Sequence, residues 1–266
     1  MTKFSIYQVF SSIDKGLKGN TAAVVHLDNP INKKSMQSLA ADLNQPATSF
    51  IWNEKGDWNV RWFAPDEEIG LCGHGAFASF SFLKDESVMK QSLALKYEQG
   101  TIEGTAIGSA ITIKLSAIQR VRQIDPPDPI VKGLGIPILE MYETTNKHLI
   151  VTENESVLRS MKPDFNTLRQ SSIFGYAVTA PGDKSDFVSR TLVPHVGQLE
   201  DHATGSSHAF LTPYWAEQLG KKSMKAFQFS QRGGYFECQL EGDFVKLSGG
   251  YERIATGKIN DLVDFN

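Results

Sequence analysis

The stretch "CGHGAFASFSFL" (72–83) constrains the fold more than any other part of this chain. Beyond its two glycines, residues 76–83 are apolar on nearly every face. A helix of that kind has no side to give to water, so it suits the inside of a domain. A second stretch, "TGSSHAFLTPYWAEQL" (204–219), has the same plan of a glycine turn running into an apolar helix. Gly73 falls opposite Gly205, and His74 opposite Ser206. The chain has 266 residues, 41% of them hydrophobic, which allows two domains of ordinary size. The expectation is two similar domains, each with strands wrapped around one buried helix, their helix N-termini facing a common cleft.

The surrounding segments supply the strands. "FSIYQVF" (4–10) and "AAVVHL" (22–27) read as strands, with Gly19-Asn20 as the turn between them. Residues 32–46 read as an amphipathic helix, since Met36, Leu39, Ala40 and Leu43 share one face and Pro46 closes it. "WNVRWF" (58–63) alternates like a half-buried strand, and residues 101–115 look like strands broken by glycines. The stretch 122–137 holds four prolines and two glycines and reads as a linker. After it come strands at 148–153, 175–180, 189–194, 226–231, 235–240 and 243–248, with a short helix at 156–161.

Charge and cysteine content narrow the function classes. The formal net charge is -3, so nothing electrostatic points to nucleic acid or an anionic membrane. Two cysteines are too few for a disulfide framework and fit a reducing compartment. The opening "KFSIYQVF" lacks the longer apolar run of a signal peptide, and no stretch reaches the ~18 apolar residues of a membrane span. A cytoplasmic location is the expectation.

A helix N-terminus presents unpaired N–H groups and a partial positive charge, and glycine lets the backbone approach a ligand closely. Two such termini suit a small anionic substrate such as a carboxylic acid. The plainer alternative is that Thr204 and its neighbours merely cap a helix. His74 has the right ordinary pKa, ~6.5, for proton transfer, or else it is a turn histidine. Asp201 is either a general acid or base or a solvated loop carboxylate. Cys72 and Cys238 do not form a convincing two-thiol pair, because Cys238 lies inside an alternating strand. His74, His195, Asp201, His202 and His208 are candidate metal ligands, but their spacing matches no ligand signature, and no metal is expected. No G-x-S-x-G elbow, P-loop or dinucleotide fingerprint is present, so no cofactor is expected.

The landmarks "GNTAAVV" (19–25), "LAADLNQPATSF" (39–50), "RWFAPDEEIGLCGHG" (61–75), "SRTLVPHVGQLEDHATGSSHAFLTPYW" (189–215) and "SQRGGYFECQL" (230–240) run almost end to end. On them the chain resembles the PhzF-like family of phenazine biosynthesis, relatives of diaminopimelate epimerase. The resemblance implies an α+β protein of two epimerase-like domains, each a barrel-like mixed sheet around a central helix. The expected division is 1–120 and 121–256, with 257–266 an optional addition to the first domain. The active site would lie in the cleft between them, and a homodimer is usual. The implied activity is a cofactor-free isomerisation that moves a proton between carbons of a small carboxylate-bearing metabolite. Matched by position, His74, Asp201 and Ser206 fall on the family's catalytic set. Gly73 and Gly205 fall on its backbone donors, and Asn20, Gly75, Thr204 and Ser207 complete the expected substrate-binding group.

One position breaks the family pattern. The motif N-x-S-E-T-x-F carries the family's proton-shuttling glutamate, and this chain reads Asn44-Gln45-Pro46-Ala47-Thr48-Ser49-Phe50. A methyl group carries no proton, and a general acid/base is worth roughly 10²–10⁴ in rate. Asp42, Glu67 and Glu68 are the nearest acids in sequence, and none is a convincing replacement. His202, where proline is common, is a possible extra acid/base beside Asp201, with a solvent-facing orientation the favoured expectation. A catalytically silent carboxylate-binding protein on the same fold is therefore the alternative to an isomerase.

Overall fold

The first turn of the chain already fixes a strand pairing. Gly19 has φ +65, and a Cβ there would lie 2.0 Å from the Val9 carbonyl oxygen, so only glycine lets the chain double back. Strand β1 (Thr2–Ser11) consequently pairs antiparallel with β2 (Asn20–His26), from Lys3↔His26 to Val9↔Asn20. The structure is a computed structural model and describes residues 2–108 and 110–260. The chain divides into two compact units, one running to Lys114 and resuming at Ser248, the other spanning Leu115–Leu247.

In the first unit the chain continues through α1 (Lys33–Leu43), β3 (Thr48–Glu54), β4 (Asp57–Phe63), β5 (Glu68–Ile69), α2 (Gly73–Asp85), β6 (Ser92–Tyr97), β7 (Gly100–Ile107) and β8 (Ala110–Ser116). β2 and β3 are parallel, as are β4 and β6, while β3–β4, β6–β7 and β7–β8 are antiparallel. Residues 250–259 return to pair antiparallel with β1, and their strand also pairs with β8, which closes a ring of strands. Helix α2 is buried at every residue from Gly73 to Leu83 and packs on β1, β2, β3 and β7. Its burial all round is what its apolar sequence demands. Helix α1 covers another layer, with Met36 and Ala40 set against Val25, Phe50 and Phe63. It ends at Asn44, which adopts a left-handed conformation, two residues before Pro46.

The second unit contains β9 (Arg120–Gln123), α3 (Asp128–Leu134), β10 (Glu140–Thr144), β11 (His148–Val151), α4 (Glu155–Ser160), α5 (Phe165–Leu168), β12 (Tyr176–Pro181), β13 (Phe187–Leu192), β14 (Glu200–Asp201), α6 (Gly205–Leu219), β15 (Ser223–Gln228) and β16 (Gly234–Glu241). The long β17 (Phe244–Ile259) then spans the boundary between the units in sequence. The pairings repeat those of the first unit: β11–β12 parallel, β12–β13 antiparallel, β13–β14 antiparallel, β13–β15 parallel and β15–β16 antiparallel. The repeat extends to side chains. Arg61 forks onto Glu68 at 2.7 and 2.8 Å, and Arg190 forks onto Glu200 at 2.7 and 3.0 Å.

Helix α6 carries Pro213 in its interior. Proline has no N–H, so the carbonyl of Ala209 loses its helical donor. The Ile118 amide takes that carbonyl at 3.0 Å, and the buried group stays satisfied.

Three expectations need correction. The proline-rich stretch 122–137 is not a linker: Pro127 caps α3, and Ile130 and Leu134 belong to the hydrophobic core of the second unit. Proline at a helix start costs nothing, because the first N–H groups have no intrahelical acceptor anyway. The units divide at 114/115 and 247/248 rather than at 120/121 and 256/257. The last strand, expected at 243–248, runs on to Ile259, so Gly257 and Lys258 pair with Phe4 and Lys3. Of the expected segment 257–266, residues 261–266 lie outside the described residues. Among the described residues no helix is long and apolar enough to cross a membrane.

Gly16 and Gly19 separate backbone strain from collision. Both have positive φ, but a Cβ at Gly16 meets nothing within 4 Å. Gly16→Ala should cost about 1–2 kcal/mol. Gly19→Ala should cost about 4 kcal/mol or more, since the Val9 backbone must move as well. Urea unfolding of the two variants against wild type measures the difference.

Candidate functional site

Each buried helix begins at a turn of the same backbone form. Cys72 precedes α2 with φ -114 and ψ 103, and Thr204 precedes α6 with φ -115 and ψ 101. Each turn follows a two-residue strand held by register: Trp62↔Ile69 in the first unit and Thr191↔Asp201 in the second. Gly73 and Gly205 are the first helical residues, both buried, and His74 and Ser206 are the second. The helix geometry leaves the amides of this first turn without intrahelical acceptors.

At the α2 turn, His74 is 9% exposed, and the Cys72 Sγ lies 3.6 Å from its Nδ1 and 3.9 Å from its Nε2. Gly75 faces inward. A Cβ there would lie 2.6 Å from Trp62 Cδ1, and its carbonyl accepts from Ser49 Oγ at 3.0 Å and Ser79 Oγ at 2.9 Å. Its placement serves close packing of helix on sheet. Asn20 is buried at the start of β2, its Oδ1 accepting from the Thr21 amide at 3.0 Å.

The acids of this unit are spent or solvated. Glu68 is held down to about 2, chiefly by hydrogen bonds from Arg61, with Lys33 adding to the effect. Asp42 and Glu67 are exposed. Ala47 is fully buried one residue before β3, and its carbonyl accepts from the Ala23 amide at 2.9 Å.

The α6 turn is polar and tightly bonded. Thr204 Oγ1 donates to Asp201 Oδ2 at 2.7 Å, and the Thr204 amide donates to Gln228 Oε1 at 2.8 Å. Gln228 is fully buried, and its Nε2 donates to the Asp201 carbonyl at 2.7 Å and to Thr204 Oγ1 at 3.0 Å. Ser206 Oγ accepts from Lys147 Nζ at 3.1 Å, and Lys147 is only 7% exposed. Ser207 turns inward, its Oγ accepting from Thr191 Oγ1 at 3.0 Å, which ties α6 to β13.

The remaining candidates scatter. His202 is half-buried with its Nδ1 sealed from solvent, which corrects the expectation of a solvent-facing ring. Its carbonyl accepts from Ser230 Oγ at 3.0 Å. His195 is exposed, with Nε2 2.9 Å from the Ser171 carbonyl. Cys238 is buried in β16, and burial pushes its thiol up to about 12. A thiol so far from ionisation makes a poor base at neutral pH. Among the described residues no group of three His, Cys, Asp or Glu side chains is arranged to hold a metal ion.

His208 is fully buried against Phe236, ring centroids 3.6 Å apart. Its Nδ1 lies 2.9 Å from the Thr204 carbonyl, which can only accept, so Nδ1 carries the proton. Burial pushes its pKa down to about 4 despite that bond.

The structure thus brings Asp201, Thr204, Gly205 and Ser206 together at one helix start, and Cys72, Gly73 and His74 at the other. Gln228 and Lys147 are the members that sequence reasoning missed. Gln228 carried a faint signal as a polar residue in a strand otherwise reading apolar-polar, and Lys147 carried none.

Two units repeating one strand pattern around a buried helix define a protein of the diaminopimelate epimerase-like fold. The model of the PhzC-PhzF family, the phenazine biosynthesis-like proteins, matches residues 7–253, and the chain belongs to that family. A Pseudomonas aeruginosa protein named an uncharacterized isomerase is 34% identical over 93% of this chain and 95% of its own. A PhzF-family crystal structure from Enterococcus faecalis superposes with TM-score 0.91 at 31% identity, covering 97% of this chain and 99% of that one. A predicted epimerase from Pseudomonas aeruginosa, 16% identical, shares the fold with TM-score 0.72 over 97% of this chain and 99% of its own.

The buried histidine sets a pH dependence. Between pH ~6.5 and ~4 the unfolded chain takes up a proton that folded His208 refuses, so stability is full above this window and falls as pH drops through it. The shift from 6.5 to about 4 corresponds to about 3 kcal/mol. His208→Gln should flatten that part of the stability-against-pH curve, measured by urea unfolding at pH 7, 5.5 and 4.5. An unchanged curve would assign the acid sensitivity to other groups.

Proposed function

We propose that this protein is a cofactor-independent isomerase that transfers a proton between carbons of a small carboxylate-bearing metabolite. In this reading Asp201 carries the proton and His74 assists. Ser206 and the amides of the Gly73 and Gly205 turns hold the substrate, with Gly75, Asn20, Thr204 and Ser207 supporting those turns. The observation that carries the reading is the fixing of Asp201. Its Oδ2 receives the Thr204 hydroxyl at 2.7 Å and its backbone is clamped by Gln228 at 2.7 Å. A carboxylate held this way keeps one geometry, as proton transfer to a bound carbon requires. The naming of relatives as isomerases supports the same class. The partner is the metabolite itself, with a second copy of the chain as the proposed homodimer partner.

A second reading rests on Ala47. Ala47, which the resemblance sets in the place of the family glutamate, is a buried methyl, Glu68 is ion-paired, and Asp42 and Glu67 face solvent. A protein so changed retains the cradle for a carboxylate and binds without turnover.

Incubation with α-amino and unsaturated carboxylic acids in D₂O, followed by NMR, distinguishes the two. The isomerase reading expects deuterium at a substrate carbon and a rate loss of roughly 10²–10⁴ in Asp201→Asn. Carboxylates that raise the melting temperature without any exchange would favour the silent reading. In that case Ala47→Glu should introduce exchange.

A further inference from the structure

The two units match at the residue before β3 and β12, the strands that pair in parallel with β2 and β11, and differ in the side chain that passes it. In the first unit the Ala47 carbonyl receives the Ala23 amide at 2.9 Å as the chain passes into β3. In the second unit the Gly175 carbonyl receives the His148 amide at the same 2.9 Å as the chain passes into β12. The registers agree: Ser49 lies opposite Trp62 and thence Ile69, and Ala177 lies opposite Thr191 and thence Asp201. Gly175 is therefore the counterpart of Ala47, as Ser206 is of His74. A Cβ at Gly175 would lie 3.5 Å from Lys147 Cδ. The Lys147 side chain runs past the counterpart of Ala47 and ends at the counterpart of His74, its Nζ 3.1 Å from Ser206 Oγ.

This lysine is built in. It is 7% exposed, Thr144 Oγ1 donates to its carbonyl at 2.6 Å, and Asn146 Oδ1 accepts from its Nζ at 3.0 Å. An ammonium group only donates, so the Ser206 oxygen is the acceptor and its hydroxyl hydrogen points elsewhere. Ser206 is half-buried rather than sealed. The lysine thus turns Ser206 into a donor and adds a positive charge behind it. The first amides of α6 have no intrahelical acceptors, so Lys147 adds a cation to a set of donors beside the Asp201 carboxylate, which the Thr204 hydroxyl already occupies on Oδ2.

We infer that Lys147 is the specificity-determining residue of the α6 turn, selecting a substrate whose group at Ser206 is an anionic oxygen rather than a neutral amide or ester. The inference rests on the reading of this turn as a substrate cradle and is independent of which residue moves the proton. It makes Lys147 a binding and positioning group, acting on the ligand by charge and through Ser206.

Benzoate and its neutral counterpart benzamide are suitable probes, titrated into ¹⁵N-labelled full-length protein and followed by NMR. Wild type should bind benzoate at least tenfold more tightly than benzamide. Lys147→Met and Lys147→Gln should each remove most of that preference, with the rest of the spectrum showing a folded chain. The loss should shrink when Ser206 is already alanine, because the two residues act as a pair. A folded Lys147 variant that still prefers benzoate as wild type does would overturn the assignment and leave the cradle intact. A wild type with no preference, binding both or neither, would overturn the cradle and the assignment together.

Discussion

A helix buried on all sides must begin somewhere inside the fold, and its first amides have no acceptors of their own. That constraint governs both units. In each, the chain reaches the helix through a two-residue strand, and an arginine on the neighbouring strand grips the glutamate of that short strand with two bonds. The grip fixes the approach, a glycine opens the helix, and the amides of the first turn are left without intrahelical acceptors. Removing the grip would free the segment that positions everything else at the turn.

The same backbone carries two chemistries. At matched positions the first unit has Ile69, Cys72 and His74, and the second has Asp201, Thr204 and Ser206. The first turn sets a sulfur near an imidazole. The second is a closed network in which Asp201, Thr204 and Gln228 satisfy one another. Repetition of the fold supplies the two helix starts, and side-chain divergence decides what each offers.

Most of the architecture was legible in the sequence, for a physical reason. Both buried helices are apolar all round, and α1 keeps its core residues on one face, so periodicity marks them. The strands of the second unit alternate or run apolar and were likewise readable. The failures came where local signals meet tertiary context. Prolines at 126–129 look like a break but start α3, because proline fits a helix start. Pro213 sits inside α6 because Ile118, far away in sequence, takes the orphaned carbonyl. The motif residues of the site were readable because they lie within a few positions of a glycine turn. Gln228 reaches the same turn from β15 and Lys147 from the loop before β11, 24 and 59 residues away from their partners, and no local pattern announces such contacts.

The acid inventory of the first unit bears on how proton transfer would be divided on the proposed reading. Glu68 is bound to Arg61 and Lys33, and protonating it would break that network, so it is unsuited to shuttling protons. Ala47 offers none. On that reading the imidazole of His74 and the carboxylate of Asp201 are the groups left for proton transfer at the two turns. A single carboxylate can serve as both base and acid if it delivers the proton to the face from which it took it. Such a protein would be confined to substrates whose donor and acceptor carbons lie on one side. On that reading a methyl at position 47, where the resemblance expects a glutamate, would narrow the reaction's geometry as well as its rate.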